Sequence, residues 1–448
     1  LAASNIGFVS TRFSGTDGVS LESSKWAQVL EKNGHRCFWF AGQLDRDLKT
    51  SYLLPEAHFQ HAEIVWINEQ VFGRRKRDAA VTDRVHALRV MLKESLYRFI
   101  DQFGIDLLVV QNALTIPMHI PLGIALTELI SETGIPVIAH HHDFYWERNR
   151  YVVNAVNDYL QMAFPPIMRG VAHVVINSAA RKDLALRYGI AAQVIPNVLD
   201  FDHPPTVNVL RSQQFKNSLG LLPDDIMILQ PTRIIRRKGI EHTIELMMAL
   251  KQKRYKLVLS HTGADEGYDY GNWLKSHAER TDVDLRMHQH KINSPWARCN
   301  GNGRKFSLWH IYPRANLVAL PSLQEGFGNA FLEAVYFRKP ILINRYQTFV
   351  RDIEPNGFDV ICINGYVSPE NVRQVKALLK SPQRIRQMTE HNYSIARKHY
   401  SYRVLDEHLV PLVEKMRRSQ AADNEIQSVG PEHSRLEAES GHRLDLPN

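Results

Sequence analysis

Two carboxylates and two cations stand at spacings that could do chemistry. Glu325 and Glu333 have seven residues between them and bracket a glycine turn, Gly326-Phe327-Gly328-Asn329, in the stretch ALPSLQEGFGNAFLEAVYFRKPIL. Arg233 and Lys238 have four residues between them in PTRIIRRKGIEHTIELMMAL. Two cations at a strand-to-helix turn can clamp a diphosphate and neutralise charge as a nucleotide departs. Carboxylates beside a phosphate cradle would repel the phosphate, so their natural partners are neutral hydroxyls, such as those of a sugar and a ribose. The four groups together read as a sugar-nucleotide site.

The surrounding elements must hold these groups at one crevice. Residues 317–320 form a short apolar run that suits a buried parallel strand. Gly326 and Gly328 flex the backbone where a side chain would block a ligand. Residues 331–337 read as a helix that stops before Pro340, and 341–343 resume a strand. Glu325 then sits at a strand's carboxyl end and Glu333 in the first turn or so of a helix. Both face the crevice where open α/β sheets bind ligands. The N–H groups of Gly328 and Asn329 are ready donors for a phosphate. Residues 226–230 read as the strand that carries Arg233 and Lys238, and Gly239 precedes the next helix. Arg236 and Arg237 are expected to be exposed.

The E-x7-E pattern with its internal G-F-G resembles the signature of retaining glycosyltransferases of the GT-B fold, most closely family 4. The order of motifs matches from about Ile6 to about Glu407. The resemblance implies an α/β protein of GT-B architecture: two Rossmann-like parallel-sheet domains facing across a cleft, with a C-terminal helix crossing back to the first domain. It implies a nucleoside diphosphate sugar as co-substrate, with GDP-mannose and UDP-glucose the leading donors. Transfer goes to a hydroxyl acceptor with retention of anomeric configuration. No residue stands out as a covalent nucleophile, so the departing phosphate would itself accept the acceptor's proton. By the same resemblance His142 contacts the transferred sugar, and Asp143, Glu147 and Arg148 face the acceptor. Gly15 and Gly18, in the loop after the first strand, face the donor diphosphate. The family often pairs these glycines, whereas GTDG spreads them. Arg233 and Lys238 would stabilise the leaving diphosphate, Glu325 the sugar hydroxyls and Glu333 the ribose. No obligatory metal or other cofactor is implied.

Bulk properties agree with that class and exclude others. A chain of 448 residues is suited to two domains. No apolar run approaches the ~20 residues of a membrane span. Three scattered cysteines, Cys37, Cys299 and Cys362, argue against a disulfide framework and for a cytoplasmic setting. The formal charge of +8 suits phosphate-bearing ligands, an anionic membrane face or nucleic acid. No helix-turn-helix or zinc pattern supports nucleic acid. The cluster Arg74 to Arg77 offers a peripheral membrane contact, and through it a lipid-linked acceptor. The histidine run His140-His141-His142 suggests metal at first glance. Strand alternation puts His140 and His142 on one face and His141 on the other, so the three cannot converge.

Along the chain, 6–9 and 37–41 read as strands around a helix ending near Lys32. Residues 43–77 read as irregular and 79–103 as one long helix. Strands follow at 105–110, 135–139, 172–177 and 193–196. The expected domains are 1–197, binding acceptor, and 198–400, binding donor, with a returning helix over 401–418 and a disordered polar tail over 419–448. Residues 293–305 read as an irregular insertion of unassigned role. The second-half motifs resemble those of soluble small-molecule glycosyltransferases, including makers of glycerate-type solutes, which implies a small soluble sugar or glycerate-type acceptor. Two other enzyme classes compete: a sugar-nucleotide epimerase needs no acceptor, and a phosphorylase needs a lysine-bound pyridoxal cofactor.

Overall fold

Two parallel sheets follow one another along the chain, and each is covered by helices on both faces. In the computed structural model, the described residues are 3–15, 17–260, 269–287 and 306–428. The first sheet comprises β1 (Asn5–Val9), β2 (Arg36–Ala41), β3 (Ser51–Leu53), β4 (Leu107–Gln111), β5 (Val137–His141), β6 (Val171–Val175) and β7 (Ala192–Val194). The second comprises β8 (Ile226–Gln230), β9 (Tyr255–Leu259), β10 (Leu285–Met287), β11 (Leu317–Leu320), β12 (Ile341–Asn344) and β13 (Ile361–Ile363). Their orders are β3-β2-β1-β4-β5-β6-β7 and β10-β9-β8-β11-β12-β13. Central strands buried on both faces must be apolar throughout, which is why they read as continuous Val/Ile/Leu runs.

The two orders are the same pattern. Each sheet starts in its middle, winds outward one way, then returns to wind the other way. The reversal falls between β1 and β4 in the first sheet and between β8 and β11 in the second. Register locks both seams: Phe8 pairs with Val109, and Val318 with Leu229. Loops leaving neighbouring strands at such a reversal diverge to opposite faces and leave a crevice between them.

Alternation along the strands builds the cores. Ile6 and Phe8 point to one face of the first sheet, where they meet Trp26, Val29 and Leu30 of the helix Gly18–Lys32. That helix is capped by Asp17, whose carboxylate accepts from the Ser20 N–H at 3.2 Å. The final helix, Tyr402–Ser428, crosses back onto the same face. Leu405, Leu409, Leu412 and Val413 form its apolar stripe and are buried against the first sheet. The helix runs on to Ser428, past Ser419 where the sequence suggests a disordered tail. Residues 429–448, Cys299 and the insertion 293–305 lie outside the described residues.

Three local expectations change. The stretch 43–77 is not irregular: it holds β3 and a helix, Ala62–Val71. Ile64, Ile67 and Val71 are its buried stripe, spaced for one helix face but interleaved with polar and exposed aromatic residues that mask the period. A further helix, Ile120–Thr133, fills the gap between β4 and β5. Arg77 does not belong to an open basic patch. It bonds the Asp158 carboxylate at 2.6 and 2.7 Å and the Ala155 carbonyl at 2.8 Å, while Arg74, Arg75 and Lys76 are exposed. Among the described residues no helix is long and apolar enough to cross a membrane.

Candidate active site

The second reversal brings the predicted charges together. Arg233 and Lys238 leave β8, and Glu325 leaves β11, its neighbour across the seam. Lys238 caps a 3-10 turn, Arg236–Lys238, and Gly239 then adopts φ +58° so that the chain can turn into the helix Ile240–Leu250. A Cβ on Gly239 would lie 2.4 Å from the Pro321 carbonyl oxygen, so the two loops touch where only glycine fits. Lys238 Nζ reaches Glu325 and forms a buried ion pair. Burial acts to raise the Glu325 pKa, but the Lys238 and Arg237 charges outweigh it and hold the carboxyl below its usual range. Burial pulls the Lys238 ammonium down, with Glu325 opposing. Arg233 is exposed at the mouth, and its charge also acts on Lys238.

The glycine turn is held from several sides. Tyr346 donates to the Phe327 carbonyl at 2.8 Å, and Thr348 donates to the Glu325 carbonyl at 3.0 Å. Gly328 sits at φ +106°, and a Cβ there would strike the Tyr346 hydroxyl at 2.5 Å. The Phe327 ring is buried in the core against Tyr400, with ring centroids 5.4 Å apart. Phe327, expected among the donor-binding residues of the turn, therefore anchors the turn with its ring and has only its backbone to offer a donor. The helix starts at Asn329, so its first N–H groups have no partner within the helix. Glu333 takes a hydrogen bond from the Tyr312 hydroxyl at 2.8 Å. Burial raises its pKa, with Tyr312 and Lys25 acting against that rise.

Loops that leave β5, β6 and β7 of the first sheet face this turn. A Cβ built on Gly326 would lie 3.1 Å from the His142 carbonyl oxygen. Asn177 donates to the Gly326 carbonyl at 2.7 Å, and Asn197 donates to Asn329 at 2.6 Å. The Ser178 N–H donates to Asp352 at 2.8 Å. His142, at the end of β5, thus abuts the carboxylate turn of the other domain. Its Nε2–H donates to Gln111 Oε1 at 2.9 Å, which leaves Nδ1 as a lone-pair acceptor. Burial pulls its pKa down to about 4, so the ring is neutral at pH 7.

The other two histidines point elsewhere, as alternation requires. His140 stacks on Trp26 with centroids 4.1 Å apart. His141 lies on the opposite side, linked to Thr115 and, at 2.9 Å, to His173.

The remaining predicted residues divide. Asp143 and Arg148 pair with each other, Arg148 Nε donating at 2.8 Å, and so largely satisfy one another's charge. Glu147 is exposed on the short turn Tyr145–Glu147. Gly15 spends its N–H on Asp45 at 2.8 Å, so that donor is not aimed at a diphosphate. Gly18 does face the donor turn: a Cβ there would sit 3.4 Å from Asn329 Nδ2.

Sequence reasoning missed several groups. Gln111 and Asn112 end β4 and line a crevice together with Ser10, Thr11 and His119. Asn112 holds φ +58°, rare for a side chain, and accepts from the His142 N–H at 2.9 Å. Arg237 is exposed as expected yet donates to the Gln324 carbonyl at 3.2 Å and approaches Glu325 at 3.5 Å. Lys25 donates to Glu22 at 2.8 Å and to the Val198 carbonyl at 2.6 Å, tying the first helix to the interdomain segment. A polar residue at the carboxyl end of an apolar strand, as Gln111 is, was the one available signal.

Comparison with known proteins matches each half. The model for glycosyltransferase family 4 covers residues 24–203, and that for glycosyl transferases group 1 covers 211–395. The mannosylglucosylglycerate synthase of Thermotoga maritima is 30% identical over 423 residues, spanning 87% of this chain and 95% of its own. The protein of the same name from Petrotoga mobilis is 31% identical over 390 residues, spanning 80% and 86%. Among solved structures, Anabaena HepE in complex with UDP and glucose superposes with a TM-score of 0.63 at 14% identity, over 92% of this chain and 99% of that one. With both halves matched and a relative aligned nearly end to end, this chain belongs to the group 1 glycosyltransferases of the GT-B fold.

Proposed function

We propose that the chain transfers a hexosyl group, mannosyl from GDP-mannose first among the candidates, to a glycerate-type acceptor such as glucosylglycerate, with retention of anomeric configuration. The Lys238–Glu325 pair at the second reversal carries the donor part of this reading. A buried carboxylate kept ionised by a lysine accepts hydrogen bonds from sugar hydroxyls, while Lys238, Arg233 and Arg237 surround the leaving diphosphate with positive charge. Glu333 keeps one oxygen for a ribose hydroxyl while Tyr312 occupies the other. His142 offers its Nδ1 lone pair to a hydroxyl of the transferred sugar. The acceptor class is supported by the two mannosylglucosylglycerate synthases, whose names give their product. The use of a nucleoside diphosphate sugar is supported by the HepE complex with UDP and glucose.

In the proposed step the bond from the anomeric carbon to the phosphate oxygen breaks through an oxocarbenium-like state. The acceptor oxygen bonds that carbon on the same face. Its proton passes to the departing phosphate, so no protein base is consumed. No metal is routed through this step, and none is needed for its balance.

The test is a thermal-shift screen of UDP, GDP and ADP sugars followed by turnover with glycerate and glucosylglycerate. The expected result is stabilisation by GDP-mannose, and a product whose new linkage keeps the donor's anomeric configuration by NMR. Conversion of a sugar nucleotide without acceptor would assign an epimerase instead. Turnover only with lipid-linked sugars would remove the glycerate reading.

A further inference from the structure

Building on the glycerate reading above, we infer that Arg12 is the subsite for the acceptor's carboxylate. An anionic acceptor needs a cation on the first domain's side of the cleft. Most cations around that side are already engaged. Lys25 is held by Glu22 and the Val198 carbonyl. Arg46 donates to the Ser20 carbonyl at 3.1 Å and to the Ser24 hydroxyl at 2.6 Å. Arg148 is bound to Asp143, and Arg77 to Asp158 and a carbonyl.

Arg12 differs. Among the described residues it makes no hydrogen bond. Its acidic neighbour, Asp17, is 3.3 Å away. That carboxylate is already used to cap a helix, taking the Ser20 N–H at 3.2 Å and the Ser20 hydroxyl at 2.6 Å. The guanidinium rests 5.3 Å from the centre of the Phe59 ring, which limits its freedom without satisfying its donors. Its side chain is 34% exposed, so a ligand can reach it.

Position completes the argument. Arg12 follows the end of β1, directly after Ser10 and Thr11, which help wall a crevice together with Gln111 and Asn112. Asp17 is near enough for its charge to act on His142, so Arg12 is one side chain removed from the residue whose backbone carbonyl abuts the glycine turn. Its other titratable neighbour is His58, whose pKa is lowered by burial and then by the Arg12 charge. A carboxylate fits that field, and a planar guanidinium with open donors is suited to bind it in two-pronged fashion.

The test is calorimetric titration of the GDP-saturated protein with glucosylglycerate and with glucosylglycerol, which has the same scaffold without the carboxylate. Wild-type protein is expected to prefer the charged acceptor by roughly tenfold to hundredfold, the usual worth of a charge-assisted hydrogen bond. Arg12→Met should erase that preference while neutral-acceptor binding, GDP affinity and melting temperature hold. Arg12→Lys should restore part of it. Should Arg12→Met fail to fold, Arg12→Gln is read in the same way. A full preference surviving in a folded Arg12→Met or Arg12→Gln protein overturns the subsite and leaves the glycerate reading standing. A wild-type protein with no preference for the charged acceptor removes the glycerate reading, and the subsite falls with it.

Discussion

The two sheets wind in the same order, but the crevices at their reversals are built from different materials. The second is ionic: Arg233, Arg237, Lys238 and Glu325 come from two loops that leave adjacent strands. The first is largely neutral: Gln111, Asn112, His119 and His142 line or border it, and burial keeps its imidazoles unprotonated. On the proposed reading the difference follows from what each would hold. A departing diphosphate gains charge and needs fixed cations, whereas the acceptor's hydroxyls can be sorted by neutral donors and acceptors, with its carboxylate left to Arg12. One topology can therefore serve two chemistries, because the strands set where the loops meet and the loop residues set what they meet with.

Acid should separate the two regions most. In the first domain burial takes His119 and His173 down to about 4, and His140 and His141 well below their ordinary value of 6.5. The unfolded chain binds those protons and the native chain does not. Stability is therefore whole above pH 6.5 and falls as pH drops toward 4, by about 1.4 kcal/mol per pH unit for each such histidine. Glu325 works over a lower window, its contribution present above 4.5 and lost as pH falls through its depressed native value. Amide exchange followed from pH 7 to 4.5 should show the first sheet losing protection ahead of the second. Loss in the opposite order would break the comparison.

The ionic crevice should be the more sensitive to a single substitution in catalysis. Lys238→Met leaves Glu325 buried with only the more distant Arg237, and removes charge stabilisation of the leaving group. Turnover should fall about 100- to 1000-fold, with a lowered melting temperature, and Glu325→Gln should show a comparable loss of turnover. Near-normal rates in both variants would remove the donor assignment.

Arg237→Ala should be the mildest. Its guanidinium is 42% exposed and stands 3.5 Å from Glu325, so solvent already screens much of its charge. A loss of a few-fold in turnover is expected. A loss equal to that of Lys238→Met would mean that Arg237, not Lys238, leads the clamp.

The ionic crevice was legible in the chain because its charges are local. Glu325, the glycine turn and Glu333 lie within one strand-turn-helix unit, and Arg233 and Lys238 within another. Charges on either side of a glycine turn are visible without knowing what they will touch. The neutral crevice was not legible in the same way. Gln111 gave a faint signal as a polar end to an apolar strand, but Ser10, Thr11 and Asn112 are unremarkable in their own segments, and the four become a wall only when β4 is laid beside β1. The helix Ala62–Val71 escaped notice for a related reason: its buried stripe is short, and its outward positions carry Val65 and Trp66 among the polar residues, so the polar face is broken. Gly15 was placed at the diphosphate by the family resemblance, and its N–H proved to belong to Asp45.

What the amino-acid order determined by itself was the alternation of apolar strands with helices, the positions of the two charged pairs and the turn between the carboxylates. These depend on periodicity and backbone sterics over a dozen residues or fewer. Tertiary structure alone decided that Lys238 would find Glu325, that His142 would spend its Nε2–H on Gln111, and that Arg12 would have as its acidic neighbour a carboxylate already capping a helix. Those outcomes depend on which strands become neighbours at a reversal of the sheet, and strand pairing joins residues about a hundred positions apart, as Phe8 to Val109 shows. A local pattern carries no record of such distances, because the partner that satisfies a side chain is chosen by packing and not by proximity along the chain.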